Sequence, residues 1–226
     1  MRSPLALVIA VIIVAPFANA CGGNAGAGTS AMGGATPEEA FEHSRVAVVT
    51  NDIGGLLDNL TAANRKHAVG SMVASMYMAT GLALDADKAA KDAAAFTALV
   101  APFGVKLGSV QEVATASMRG NPEQFVAGVA DCRALGVALF DSFRGKHQRG
   151  LEVMVGTSLP WCHPNRAADG KASGPAVISG ETAKLTLEYP EYKWNEKVTL
   201  PASTIGVAFE RVDGRWLISE PVDLAP

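Results

Sequence analysis

The chain is short of the residues that most enzymes and nucleic-acid binders display. Aromatics make up 6% of its 226 residues, there are three cysteines and four histidines, and no long run of lysine or arginine occurs. Each shortage excludes something. With a net charge of −3 and no basic stripe, nucleic acid is not an expected partner. Cys21, Cys132 and Cys162 form no C-x-x-C, and His43, His67, His147 and His163 form no H-x-x-x-H, so the spacing of a zinc site is missing. There is no G-x-S-x-G, H-E-x-x-H, phosphate-cradling glycine loop or dinucleotide fingerprint. No catalytic residue, metal or cofactor is assigned. Scarce aromatics beside a 49% hydrophobic content, much of it alanine, call for close, alanine-lined helix interfaces.

Charge is also missing from Pro4 through Cys21. The apolar core of this stretch, Leu5 to Val14, is well short of the roughly 20 residues a membrane-spanning helix needs. Arg2 in front and the small Ala18 and Ala20 behind complete the pattern of a secretory signal peptide over residues 1–20. Ala18-Asn19-Ala20-Cys21, followed by Gly22-Gly23-Asn24, resembles a bacterial lipoprotein junction. The resemblance implies that Cys21 becomes a diacylated N-terminus and that the protein sits in the cell envelope, outside the cytoplasm, at the periplasmic side or the surface. Several acyl chains hold a protein stably where one does not. Ala-x-Ala is equally the mark of the ordinary secretory peptidase, which would cut the same bond and release an unlipidated, secreted chain. The expected partners are therefore a membrane, through the N-terminal lipid, and an unknown protein or small-molecule ligand. With Cys21 acylated, Cys132 and Cys162 remain as an even pair in an oxidising compartment. Joined, they would close a loop of about 30 residues, worth about 3 to 4 kcal/mol; the alternative is two unpaired thiols.

Residues 21–35, rich in Gly, Ala and Ser, read as a flexible tether. A single α+β domain is expected over 36–226: helical from 36 to 150, a loop over 156–175, and a β-meander over 176–220. Thr36-Pro37-Glu38-Glu39 is a helix start with Thr as N-cap, Pro at the first helical position and Glu closing a capping box. That helix runs to about Val49. Asn51-Asp52 breaks and restarts it, and Ile53, Leu56, Leu57 and Leu60 form an amphipathic stripe. A third helix is expected from about Ala62 to Leu82. A fourth starts at Asp85, turns Phe96, Leu99, Val100 and Phe103 inward, and ends at Pro102 and Gly104. Asn121-Pro122-Glu123-Gln124 predicts a fifth, carrying Phe125, Val129, Cys132, Gly136, Leu139 and Phe143 along one seam. His43 and His67 read as surface residues on helices.

From Val177 the period changes to two. Ala183, Leu185, Leu187 and Tyr189 alternate with Thr182, Lys184, Thr186 and Glu188. Trp194, Val198 and Leu200 alternate with Lys193, Asn195, Lys197 and Thr199, Glu196 being the break. Ile205, Val207 and Phe209 follow, and Asp213-Gly214 signals a two-residue hairpin before Trp216 and Ile218. Pro190-Glu191 and Pro201-Ala202-Ser203 read as the other turns. The result is an antiparallel meander of about four strands with one dry face, covered by about five N-terminal helices. Tyr189, Trp194, Phe209 and Trp216 would fill that core or line a pocket in it.

The two ends of the domain carry a second resemblance. Thr-Pro-Glu-Glu-Ala-Phe from Thr36, Asn-Asp-Ile-Gly-Gly-Leu-Leu from Asn51, and Val-Ala-Phe-Glu-Arg-Val-Asp-Gly-Arg-Trp-Leu-Ile from Val207 to Ile218 look like the nuclear transport factor 2-like superfamily. Its members are cone-shaped α+β domains that open with two helices and close with an Asp-Gly-x-Trp hairpin. The likeness implies a large helical insertion here, because Ala62 to Phe143 reads as helix where that fold places a strand. Family enzymes use an acid–base pair, commonly Asp with His. No histidine lies in the strand region, so no catalytic role carries over. The leading expectation is a non-enzymatic binding or assembly module. The alternative is an enzyme of the polyketide-cyclase or isomerase kind on the same fold.

Overall fold

A computed structural model describes residues 33–81, 85–147, 169–193 and 199–219. Among the described residues, six α-helices precede an antiparallel sheet, an α+β arrangement. The helices are α1 (Pro37–Val49), α2 (Ile53–Asp58), α3 (Ala62–Thr80), α4 (Ala86–Val100), α5 (Val110–Met118) and α6 (Cys132–His147). Their starts follow from local chemistry. Thr36 Oγ1 accepts the Glu39 N–H, Asp52 accepts that of Gly55, and Asp85 accepts those of Asp87 and Lys88. Each satisfies donors that the first helical turn leaves unpaired. Helix α1 ends where Asn51 turns left-handed, with φ of 59°. Asn51 N–H then donates to Val48 O and Asp52 N–H to Ala47 O, the paired closure typical of a left-handed cap. The same two residues thus stop one helix and start the next.

Two helical expectations need correction. The run from Asn121 to Phe143 is not one helix. Pro122–Val126 is a 3₁₀ turn, and α6 starts separately at Cys132. The Asn121 side chain makes no cap, whereas Asp131 accepts the Ala134 N–H at 2.9 Å. Tertiary contact decides the break. A Cβ on Gly70 of α3 would lie 2.3 Å from the Pro122 carbonyl oxygen, so the turn rests directly on the α3 backbone. Of the expected seam, Val129, Cys132, Gly136 and Leu139 are buried and Phe125 and Phe143 are half-buried, while Val126 and Leu135 join the buried set. Helix α5 is an addition to the expected set. Ser109 and Glu112 form a reciprocal capping box at its start, a signal present in the sequence as Ser-x-x-Glu.

The strands are β1 (Lys171–Ala172), β2 (Val177–Ser179), β3 (Thr182–Tyr189), β4 (Tyr192–Lys193), β5 (Thr199–Leu200), β6 (Ser203–Val212) and β7 (Arg215–Ile218). The main sheet runs β1-β3-β6-β7, with β2 also pairing β3. Alternation in β3 is complete: Ala183, Leu185, Leu187 and Tyr189 are buried, and their neighbours are exposed. Asp213 and Gly214 both have positive φ, the geometry of a tight hairpin whose twist matches its strands.

Thr199–Leu200 pairs outside the main sheet, and the prolines at 190 and 201 are not turns. Strand β3 pairs directly with β6, Tyr189 opposite Ser203. Further along the same two chain segments, Tyr192 faces Leu200 and Lys193 faces Thr199 in the separate β4–β5 ladder. Both ladders keep one register, so they are two lengths of one long hairpin. Pro190 and Pro201 fall in the gap between them. Proline has no N–H to give a ladder, and two on facing segments interrupt the pairing without reversing the chain.

One sheet edge is sealed by the helical half. Gly34 and Trp216 exchange N–H···O bonds of 3.0 and 2.8 Å. Ile218 N–H donates to Asn59 O, and Ile218 O accepts from Thr61 N–H and from Asn64 Nδ2 at 3.1 Å. The outer backbone groups of β7 are therefore paired, as a buried edge requires. Helix α1 lies on β3 and β7, α2 packs on α1 and α6, and α3 is the hub for α4, α5, α6 and the 3₁₀ turn. A single apolar cluster runs from Leu185, Val207 and Phe209 in the sheet through Leu56, Leu57 and Leu60 to Met72, Leu135 and Leu139. Among the described residues, no helix is long and apolar enough to cross a membrane.

Candidate functional site

Helix α4 borders a concavity. Its C-terminal half is docked: Phe96 and Val100 are buried, and the Phe96 ring lies 5.9 Å from that of Tyr77. Its N-terminal half, from Ala86 to Ala95, has no buried residue. The helix is thus anchored at one end and stands off α3 and α6 at the other. The wedge between them is a cleft of about 750 Å³. Met76, Phe96, Leu99 and Phe143 supply its apolar walls, and Ala79 and Ala95 lie at its exposed margin. Four of its described lining residues are polar. Lys88 and Asp92, one turn apart, are ion-paired, Thr80 Oγ1 donates to Tyr77 O at 2.7 Å, and Ser142 contributes a hydroxyl. This is the composition of a ligand site with apolar walls and few polar groups.

Another concavity is a groove of about 500 Å³ where the long hairpin is interrupted, with Asp169, Lys171, Glu188 and Ser203 in its lining. Tyr189 forms its floor and is itself 2% exposed. A Cβ on Gly170 would meet the Tyr189 ring at 2.6 Å, so the chain entering β1 closes over the ring.

The residues singled out from sequence divide three ways. Cys21, Cys162 and Trp194 lie outside the described residues. Phe209 and Trp216 are core residues, 1% and 4% exposed, while Tyr189 belongs to both core and groove. Cys132 is buried on the α6 seam. Burial pushes its thiol pKa up from the ordinary 9.0, against the pull of Lys66 and Arg65, so at neutral pH it is an unactivated thiol. Its pairing with Cys162 depends on a residue beyond those described.

Neither His43 nor His67 is an unengaged surface residue. His43 Nδ1 lies 3.0 Å from Gly33 O, where it helps hold the strand-edge segment. His67 Nδ1 lies 3.3 Å from Glu123, across the contact between α3 and the 3₁₀ turn. The cleft residues that sequence reasoning missed are Met76, Phe96, Leu99 and Phe143. Their helical spacing marks them as inward-facing. No local signal says that one end of α4 stands away from the body they face. No known protein family, curated protein or solved structure matches the chain.

Proposed function

We propose that the protein is a non-enzymatic binding module of the bacterial cell envelope, held to a membrane by lipid on Cys21 and taking an apolar ligand in the cleft between α3, α4 and α6. The observation that carries the anchor is the junction itself: a short uncharged leader, Cys21, and then a Gly/Ala/Ser tether before the first capped helix. The cleft supports the binding role. Met76, Phe96, Leu99 and Phe143 give it apolar wall, and Lys88 and Asp92 are ion-paired in its lining. That arrangement suits holding a ligand.

The test is the intact mass of the protein recovered from the membrane fraction. A mature chain beginning at Cys21 and carrying acyl mass is expected, with Cys21→Ala moving the protein to the soluble fraction. An unmodified N-terminal cysteine on a soluble wild-type chain sinks the anchored reading.

A further inference from the structure

We infer that strand β2 is a pairing edge for the β2 strand of a second copy of this chain, and that Glu38 holds that edge closed. The inference is independent of the lipid anchor and of the cleft.

The alternation of the sheet decides which way β2 points. Arg211 N–H donates to Glu181 O, and Ser173 N–H to Thr186 O. Odd-numbered residues of β3 therefore turn their backbone groups to β6 and even-numbered ones to the edge strands. Val177 lies opposite Lys184, and Ser179 opposite Thr182, so these two residues of β2 bond inward. Ala176 and Ile178, which alternate with them, direct N–H and C=O away from the sheet. Glu38 Oε1 takes the outward Ala176 N–H at 2.7 Å. Among the described residues, none bonds the outward groups of Ile178. Val177 and Ile178 are 74% and 57% exposed. An exposed apolar edge with unpaired backbone groups is a template for another strand.

The strand that fits this edge is its own copy. β2 is three residues long and Ile178 is its centre. Antiparallel pairing about a twofold axis at Ile178 lets the two Ile178 residues exchange both N–H···O bonds. It sets Val177 against Ser179 of the second copy, and Ala176 against Gly180 of the second copy. Both strands then match in length, and neither apolar residue meets a charge from the facing strand. One obstacle stands in the ladder. The Ala176 N–H has to reach the facing Gly180 carbonyl, and the Glu38 carboxylate already occupies that place. A carboxylate repels a carbonyl oxygen, and the axis repeats the obstacle at the other end of the pair. A charged side chain set on an edge in this way is a known defence against strand pairing.

The experiment uses the full chain carrying Cys21→Ala and reads its mass by sedimentation equilibrium at neutral pH, with a thermal melt to check folding. With Glu38 in place a monomer is expected. Glu38→Ala and, separately, Glu38→Ser remove the carboxylate and free the Ala176 N–H, and each should double the weight-average mass at the same concentration. Adding Ile178→Pro should return the mass to that of a monomer. Proline removes the outward N–H and is tolerated on an edge strand. A crosslink then fixes the register. With Cys162→Ser also present, Ile178→Cys in the Glu38→Ala chain should form an interchain disulfide under oxidant, because facing Cα atoms about 5.5 Å apart lie within its range. Ser179→Cys should crosslink about tenfold more slowly or worse, since position 179 faces position 177 of the second copy. Folded Glu38 variants that stay monomeric overturn the inference, as does a dimer already formed with Glu38 in place. Dimerisation undiminished by Ile178→Pro, or equal crosslinking at positions 178 and 179, places the contact elsewhere and overturns it too.

Discussion

Glu38 Oε1 accepts the backbone N–H of Ala176 at 2.7 Å, across 138 residues of sequence. The bond ties the first turn of α1 to the segment entering β2, at the edge of the sheet opposite β7. Burial by itself would raise the Glu38 pKa. Hydrogen bonds from Ala176 N–H, from its own N–H and from the Thr36 hydroxyl outweigh it and leave the pKa below the ordinary 4.5. A carboxyl whose pKa falls on folding binds fewer protons folded than unfolded, so stability rises with pH between the two values. The Glu38 contribution is full above the ordinary value and is lost as pH falls through the lowered one. Urea midpoints measured down the acid range should show wild type more stable than Glu38→Gln at neutral pH. The two should converge in acid. A gap that persists unchanged at the lowest pH would mean the carboxylate charge plays no part.

Asn64 is expected to hold the seal on β7. It is 5% exposed, and its Nδ2 donates to Ile218 O. Replacing it with alanine removes that donor and leaves a small void, at a cost of about 1 to 3 kcal/mol. Asn64→Asp should cost more, because it sets a carboxylate oxygen against the carbonyl it replaces a donor to. Equilibrium denaturation of the two variants checks the order.

Gly70 answers to backbone contact. Alanine is the better helix former by about 1 kcal/mol, so Gly70→Ala would stabilise an isolated α3. In the folded chain its Cβ would meet Pro122 O at 2.3 Å and Pro122 C at 2.6 Å. Backbone cannot swing aside as a side chain can, and the net effect is expected to be a loss of about 1 to 3 kcal/mol. Gly128→Ala is the control, since the nearest atom there is 3.9 Å away. Thermal melts should separate the two, with hydrogen exchange over residues 122–126 rising in Gly70→Ala alone.

How much of this was legible beforehand depends on the range of the interaction. The caps at Thr36, Asp52 and Asp85 act within three residues of themselves. They can be read from the sequence, and so can the hairpin at Asp213-Gly214. The capping box at Ser109 and Glu112 was equally local; α5 went unread although its signal was present. The stripe Ile53, Leu56, Leu57 and Leu60 is fully inward, because helical period and burial follow the same geometry.

By itself, then, the sequence determined the α+β class, most helix starts, the alternating face of β3 and the chain reversal at Asp213-Gly214, all through contacts a few residues apart. Tertiary structure decided the rest. Pro190 and Pro201 look like two turns until the shared register of the two ladders places them on facing segments of one hairpin. Asn121 looks like a helix cap until the backbone of Pro122 is set against Gly70. The cleft lies where α4 is docked at Phe96 and Val100 and buries no residue from Ala86 to Ala95. Each of these depends on where a distant backbone lies, and a local pattern of caps and apolar spacing carries no information about that position.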